Sequence, residues 1–105
     1  MSATEIFNNR IAPKLNERAD KVKTINAIYE FNITDENSVW TIDLTKADNF
    51  VTQGSTGNAK CTVSIKSEDL TSILDKKLNP QMAFMTGKLK VKGDMGLALK
   101  LGTIL

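Results

Sequence analysis

The tightest constraint on this chain lies near its C-terminal end. Met95, Leu97, Ala98, Leu99, Leu101, Ile104 and Leu105 crowd together there, with Lys100 as the main charged interruption. Asp94 is a helix opener, so the spacing predicts a last helix over residues 94–101 whose apolar side chains surround its axis. Such a helix has to be covered on more than one side. One side can lie on a sheet. The other needs a second element, a membrane, a partner or a ligand.

A sheet is available upstream. Ile25, Ala27, Tyr29, Phe31 and Ile33 alternate with Asn26, Ile28, Glu30 and Asn32, the pattern of a half-buried strand. Residues 34–37 form a turn cluster. Trp40, Ile42 and Leu44 alternate in a second strand that makes a hairpin with the first. Residues 47–52 suggest a weak third strand, and residues 53–58 a loop. Ala59, Cys61, Val63 and Ile65 alternate with Lys60, Thr62, Ser64 and Lys66 in the clearest strand of the chain. Leu89 and Val91 share one face of a last strand, with Lys88, Lys90 and Lys92 on the other, and Gly93 breaks it.

Helical spacing fills the remainder. Phe7, Ile11 and Leu15 recur every four residues, and Pro13 predicts either two short helices or one kinked helix. Ser67 reads as a cap, followed by Glu68 and Asp69 and by an apolar face of Leu70, Ile73, Leu74 and Leu78. Asn79 and Pro80 open another short helix through Met82, Ala83, Phe84 and Met85, which Gly87 ends. The economical arrangement is α+β: a single mixed sheet with its apolar face covered by helices.

Composition narrows the chemistry. A chain of 105 residues, 41% of them apolar, can bury a core as one domain spanning residues 1–105. The net charge of +2 neither demands nor excludes an anionic partner. There is no histidine, no CxxC pair, no phosphate-binding glycine loop and no nucleophile elbow. Neither catalysis nor a cofactor is expected. The single cysteine fits a reducing compartment. No basic leader and no run of about 20 apolar residues is evident, so the expected location is the cytoplasm.

Individual residues carry two readings each. Met82, Phe84 and Met85 fit ordinary core packing or, since methionine adapts to irregular partners, a deformable pocket. Trp40 is either a core residue or a cavity wall. Cys61, on an inward phase, reads as a buried structural thiol. Lys88, Lys90 and Lys92 form a solvated strand face that guards a sheet edge, or a patch for anionic membranes and ligand headgroups. A protein- or nucleic-acid-interaction module using that basic face is the rival reading, as is an accessory domain to an enzyme. The few aromatic residues fall mostly on inward phases, so no stacking platform for nucleic acid is evident.

The run NPQMAFMTGKLKVKGDMGLALKL, from Asn79 to Leu101, resembles the hallmark segment of the sterol carrier protein type 2 family. VWTIDL, from Val39 to Leu44, and AKCTVSIKSEDL, from Ala59 to Leu70, resemble that family's strand–strand and strand–helix segments in the same order. The short length resembles the stand-alone bacterial members. The resemblance implies a five-stranded, mainly antiparallel sheet with an apolar tunnel between sheet and helices, and non-catalytic binding and transfer of fatty acids, acyl-CoAs, phospholipids or sterols. Its walls would come from Phe31, Trp40, Ile42, Val63 and Ile65 on the strands and from Ile73, Leu74, Met82 and Met85 on the helices. Leu89, Leu97, Leu101 and Leu105 would complete them. Lys88, Lys90 and Lys92 would touch a membrane transiently or hold a headgroup. The expected partners are thus a lipid and a membrane surface, with no nucleic acid, no metal and no cofactor.

Overall fold

A computed structural model describes residues 2–105. Five strands form one sheet: β1 (Ile28–Ile33), β2 (Ser38–Asp43), β3 (Val51–Gln53), β4 (Cys61–Ile65) and β5 (Leu89–Gly93), in the order β3-β2-β1-β4-β5. β1 and β4 are parallel; every other pair is antiparallel. The period-2 patterns set the register. Trp40 faces Phe31, Phe31 faces Val63 and Val63 faces Val91, so one apolar row crosses four strands. Ile42, Tyr29 and Cys61 make the next row. The third strand is shorter and later than its pattern suggests, since only Val51 offers an apolar side chain to pair with Ile42.

The helices cover the apolar face. α1 (Ala3–Glu5) leads into a π-helical turn (Ile6–Ile11) and then α2 (Ala12–Glu17), followed by α3 (Ala19–Val22). Pro13 neither breaks this run nor ends it. Its ring would collide with the carbonyl four residues back in a regular helix. The chain widens instead, and the Ala12 N–H donates to the Phe7 carbonyl, five residues earlier. Ile6, Phe7, Ile11 and Leu15 are fully buried. The Phe7 ring stacks on Trp40 with centroids 4.9 Å apart and meets Phe31 edge-on at 5.7 Å.

α4 (Ser67–Leu74) begins differently from the expectation. Ser67 is its first helical residue, and Lys66, in the cap position, makes no side-chain cap. The cap comes from the β1–β2 turn: Asp35 accepts from the Ser67 N–H at 2.9 Å and from the Ser67 hydroxyl at 2.6 Å. The hydroxyl and then the N–H hold the Asp35 carboxyl below its ordinary range. A carboxylate with a lowered native pKa stabilises the fold above its unfolded value of about 3.9, and that contribution is lost as pH falls through the native value. Asp35→Ala should therefore lower Tm at pH 7, and the deficit should shrink in melts at pH 3. An equal deficit at both pH values would contradict the cap.

α5 (Pro80–Met85) opens as expected, with the Asn79 side chain accepting from the Gln81 N–H at 2.8 Å. β5 follows and ends at Gly93, whose φ of +105° suits glycine. A Cβ there would lie 2.4 Å from the Lys60 carbonyl oxygen. The expected final helix is divided in two, α6 (Met95–Ala98) and α7 (Leu101–Ile104). Asp94 caps α6 through the Gly96 N–H at 2.8 Å. Division of the helix resolves its apolar excess: α7 buries Leu101 and Ile104, while Met95 and Leu99 remain open to water.

Candidate functional site: an apolar groove beside the last strand

Three exposed apolar residues, Phe84, Met95 and Leu99, border a groove of about 260 Å³. Leu89 and Val91 of β5 form its floor. Pro80, Gln81 and Phe84, one face of α5, form one wall. Met95, Ala98 and Leu99, with Leu101 and Gly102 of α7, form the other. Leu99 is 78% exposed and Phe84 is 43% exposed. Large apolar side chains clustered at a concave surface mark a binding site more often than chance exposure does.

Three hydrogen bonds hold the α6–α7 wall to the rest of the fold. The Tyr29 hydroxyl donates to the Leu97 carbonyl at 2.6 Å. Burial pushes the Tyr29 pKa up, so the hydroxyl keeps its proton. Arg18 donates to the Thr103 carbonyl at 3.1 Å, and Lys14 donates to the Leu105 main-chain oxygen.

A second cavity of about 450 Å³ adjoins the groove and shares Asn79, Pro80 and Gly102 with it. Ile73, Leu78 and Leu105 supply its apolar surface; Lys76 and Lys77 supply its charge. Behind Leu105, the Lys14 pKa is pushed down to about 8, first by burial and then by the neighbouring Lys76 ammonium. A third cavity, of about 350 Å³, lies at the Lys88 end of β5 and includes Ile65, Lys66, Lys88 and Lys90.

The structure distributes the expected lining residues among these places. Leu89 and Leu101 line the groove; Ile73 and Leu105 line the second cavity; Ile65 reaches the third. Leu97 is partly buried beside the groove. Phe31, Trp40, Ile42, Val63 and Leu74 lie in the packed core and line none of the three spaces. The stacked Phe7 ring occupies the position over Phe31 and Trp40. Met82 and Met85 are exposed, Met85 by 72%, and stand outside the groove. Lys90 and Lys92 are exposed on β5 and share the sheet face of Ser64 and Thr62; Lys88, also exposed, lies just before the strand and not in it.

Sequence reasoning missed Val91, Met95, Ala98 and Leu99 as groove residues, and offered a pocket for Phe84 only as one of two readings. Two signals point to some of them: Val91 shares the strand phase of Leu89, and Phe84 lies one helical turn after Pro80. Cys61 is buried, and burial followed by Asp94 raises its pKa, so it is an unreactive thiol. Among the described residues no helix is long and apolar enough to cross a membrane.

A five-stranded mixed sheet backed by helices, with an apolar groove at its edge, defines a small α+β domain with a concave apolar surface. The chain belongs to the SCP-2 sterol transfer family, whose profile matches residues 8–105. It is 38% identical to rabbit (Oryctolagus cuniculus) sterol carrier protein 2 over 87% of the chain and 18% of that protein. It is 46% identical to zebrafish (Danio rerio) hydroxysteroid dehydrogenase-like protein 2 over 93% of the chain and 23% of that protein. The chain thus spans about a fifth of the length of these curated relatives. Among solved structures, sterol carrier protein 2 from Yarrowia lipolytica in its apo form superposes with a TM-score of 0.75 at 30% identity, covering 91% of this chain and 84% of that one. Palmitated SCP2L2 from Aedes aegypti gives a TM-score of 0.80 at 28% identity, covering 99% and 94%.

Proposed function

We propose that the chain takes up one lipid molecule in the groove beside β5 and carries it between membranes without altering it. One observation carries this reading: Phe84, Met95 and Leu99 keep apolar surface in water around a concave apolar floor. The similar Aedes aegypti protein is described as palmitated, which supports a long acyl chain as the occupant. Fatty acids, acyl-CoAs, phospholipids and sterols are the candidate ligand classes.

Burying a methylene away from water gains about 0.8 kcal/mol. A membrane already supplies that burial, so moving a lipid from bilayer to groove is nearly balanced. Balance favours exchange over trapping. An apolar wall also separates ligands by only about 1–3 kcal/mol per methylene, so several chain lengths fit one groove. To admit a full acyl chain, α6 and α7 shift away from β5, and short helices held by few hydrogen bonds make that shift inexpensive.

Lys88, Lys90 and Lys92, at and just before β5, serve as the contact with an anionic bilayer, each contributing about 1 kcal/mol near its surface. The test follows a fluorescent acyl lipid moving between vesicles. Wild-type protein should accelerate transfer in proportion to its concentration. Replacing Lys88, Lys90 and Lys92 together by glutamine should slow delivery to phosphatidylserine vesicles and leave binding in solution unchanged. No acceleration by folded protein would overturn the transfer reading.

A further inference from the structure

The groove and the adjoining second cavity differ in charge, and that difference gives the site a direction. They meet at Asn79, Pro80 and Gly102. The groove beyond this junction has a floor of Leu89 and Val91 and no charged lining residue. The second cavity carries Lys76 and Lys77 at its rim, and neither makes an ion pair among the described residues. Arg10 is already occupied by Asp75 at 2.6 Å. Lys14 reaches the Leu105 oxygen beside the same cavity, with the Lys76 ammonium next to it. Cations placed side by side without acidic partners repel one another, and a bound anion relieves that repulsion.

We infer that the Lys76–Lys77 cavity is a headgroup site that selects amphiphiles with an anionic head, the head lying against these lysines and the tail running past Asn79 and Pro80 into the groove. This rests on the lipid-binding reading above. It adds a polarity to the site and a preference for carboxylate or phosphate heads over neutral lipids of equal apolar length. Charge at one end, adjoining the apolar groove at Asn79, Pro80 and Gly102, is what selects this occupant.

The test compares three ligands on wild-type protein and on the double variant Lys76→Gln/Lys77→Gln: palmitate, its methyl ester, and a lysophosphatidate of the same chain length. Both lysines are exposed, so the variant should fold, and its melting curve checks this. The double substitution should weaken palmitate and lysophosphatidate by about five-fold, the scale of two partly exposed ion pairs, and change the ester by less than about two-fold. High salt should reproduce the loss for the anions alone. The head showing the larger loss is the one the site favours. Equal effects on all three ligands, or none on the anions, would overturn the inference and leave the groove reading intact. Failure of folded wild-type protein to bind any of the three ligands would overturn both.

Discussion

Phe7→Ala should cost about 3–5 kcal/mol of stability, the range for removing a buried aromatic ring. Phe7 has no exposed surface and touches two aromatic rings at once, stacked on Trp40 and edge-on to Phe31. Aromatic pairs add about 0.5–1.5 kcal/mol beyond their buried area. A domain of this size has roughly 5–15 kcal/mol in total, so the variant should approach the unfolding threshold at physiological temperature. Urea unfolding followed by Trp40 fluorescence measures the loss, and the native emission should itself change because the stacked ring is gone. A cost below about 1 kcal/mol would mean that the ring does not anchor the N-terminal helices to the sheet.

Leu99→Asp should weaken binding of a long-chain fatty acid by at least about ten-fold, equivalent to 1.4 kcal/mol. Leu99 lines the groove and is 78% exposed in the free protein. An aspartate there is solvated until a ligand arrives, so stability should change by no more than about 0.5 kcal/mol. Binding would then bury the new charge against an apolar chain, which is strongly unfavourable. Met85→Asp is the matching control. Met85 is equally exposed but outside the groove, and its affinity should stay at the wild-type value. Comparable losses in both variants would place the ligand elsewhere.

The sheet was legible because alternation is a local signal. β1, β2, β4 and β5 each show it, and their registers follow once one face is buried. One helix boundary depended on a contact distant in sequence. The cap on α4 comes from Asp35, 32 residues before Ser67, and no local pattern reports it. Pro13, expected to divide or kink the first helix, is accommodated by a π turn, which leaves Phe7 facing Trp40 and Phe31.

The site was legible only in part, for a physical reason. Inward phase identifies what is buried from water and does not separate close-packed interior from ligand-accessible wall. Phe31, Trp40 and Val63 have the same phase as Leu89, yet only Leu89 of these lines the groove. What distinguishes it is position: β5 is an edge strand, and the helices beside it are short and incompletely packed. The apolar ring of the final segment predicts cover on more than one side, yet Met95 and Leu99 stay open to water. Division of that segment into α6 and α7 then decided which residues face the core and which face the groove.

The most direct test of the central claim is a titration of delipidated, isotope-labelled protein with palmitate, followed by backbone amide shifts. Saturation near one ligand per chain should come with the largest shifts at Leu89, Val91, Phe84 and residues 95–102, and small ones at Asn32 and Ser64 on the opposite sheet face. Saturable binding with shifts confined to that opposite face, or no saturable binding by the folded protein, would contradict it.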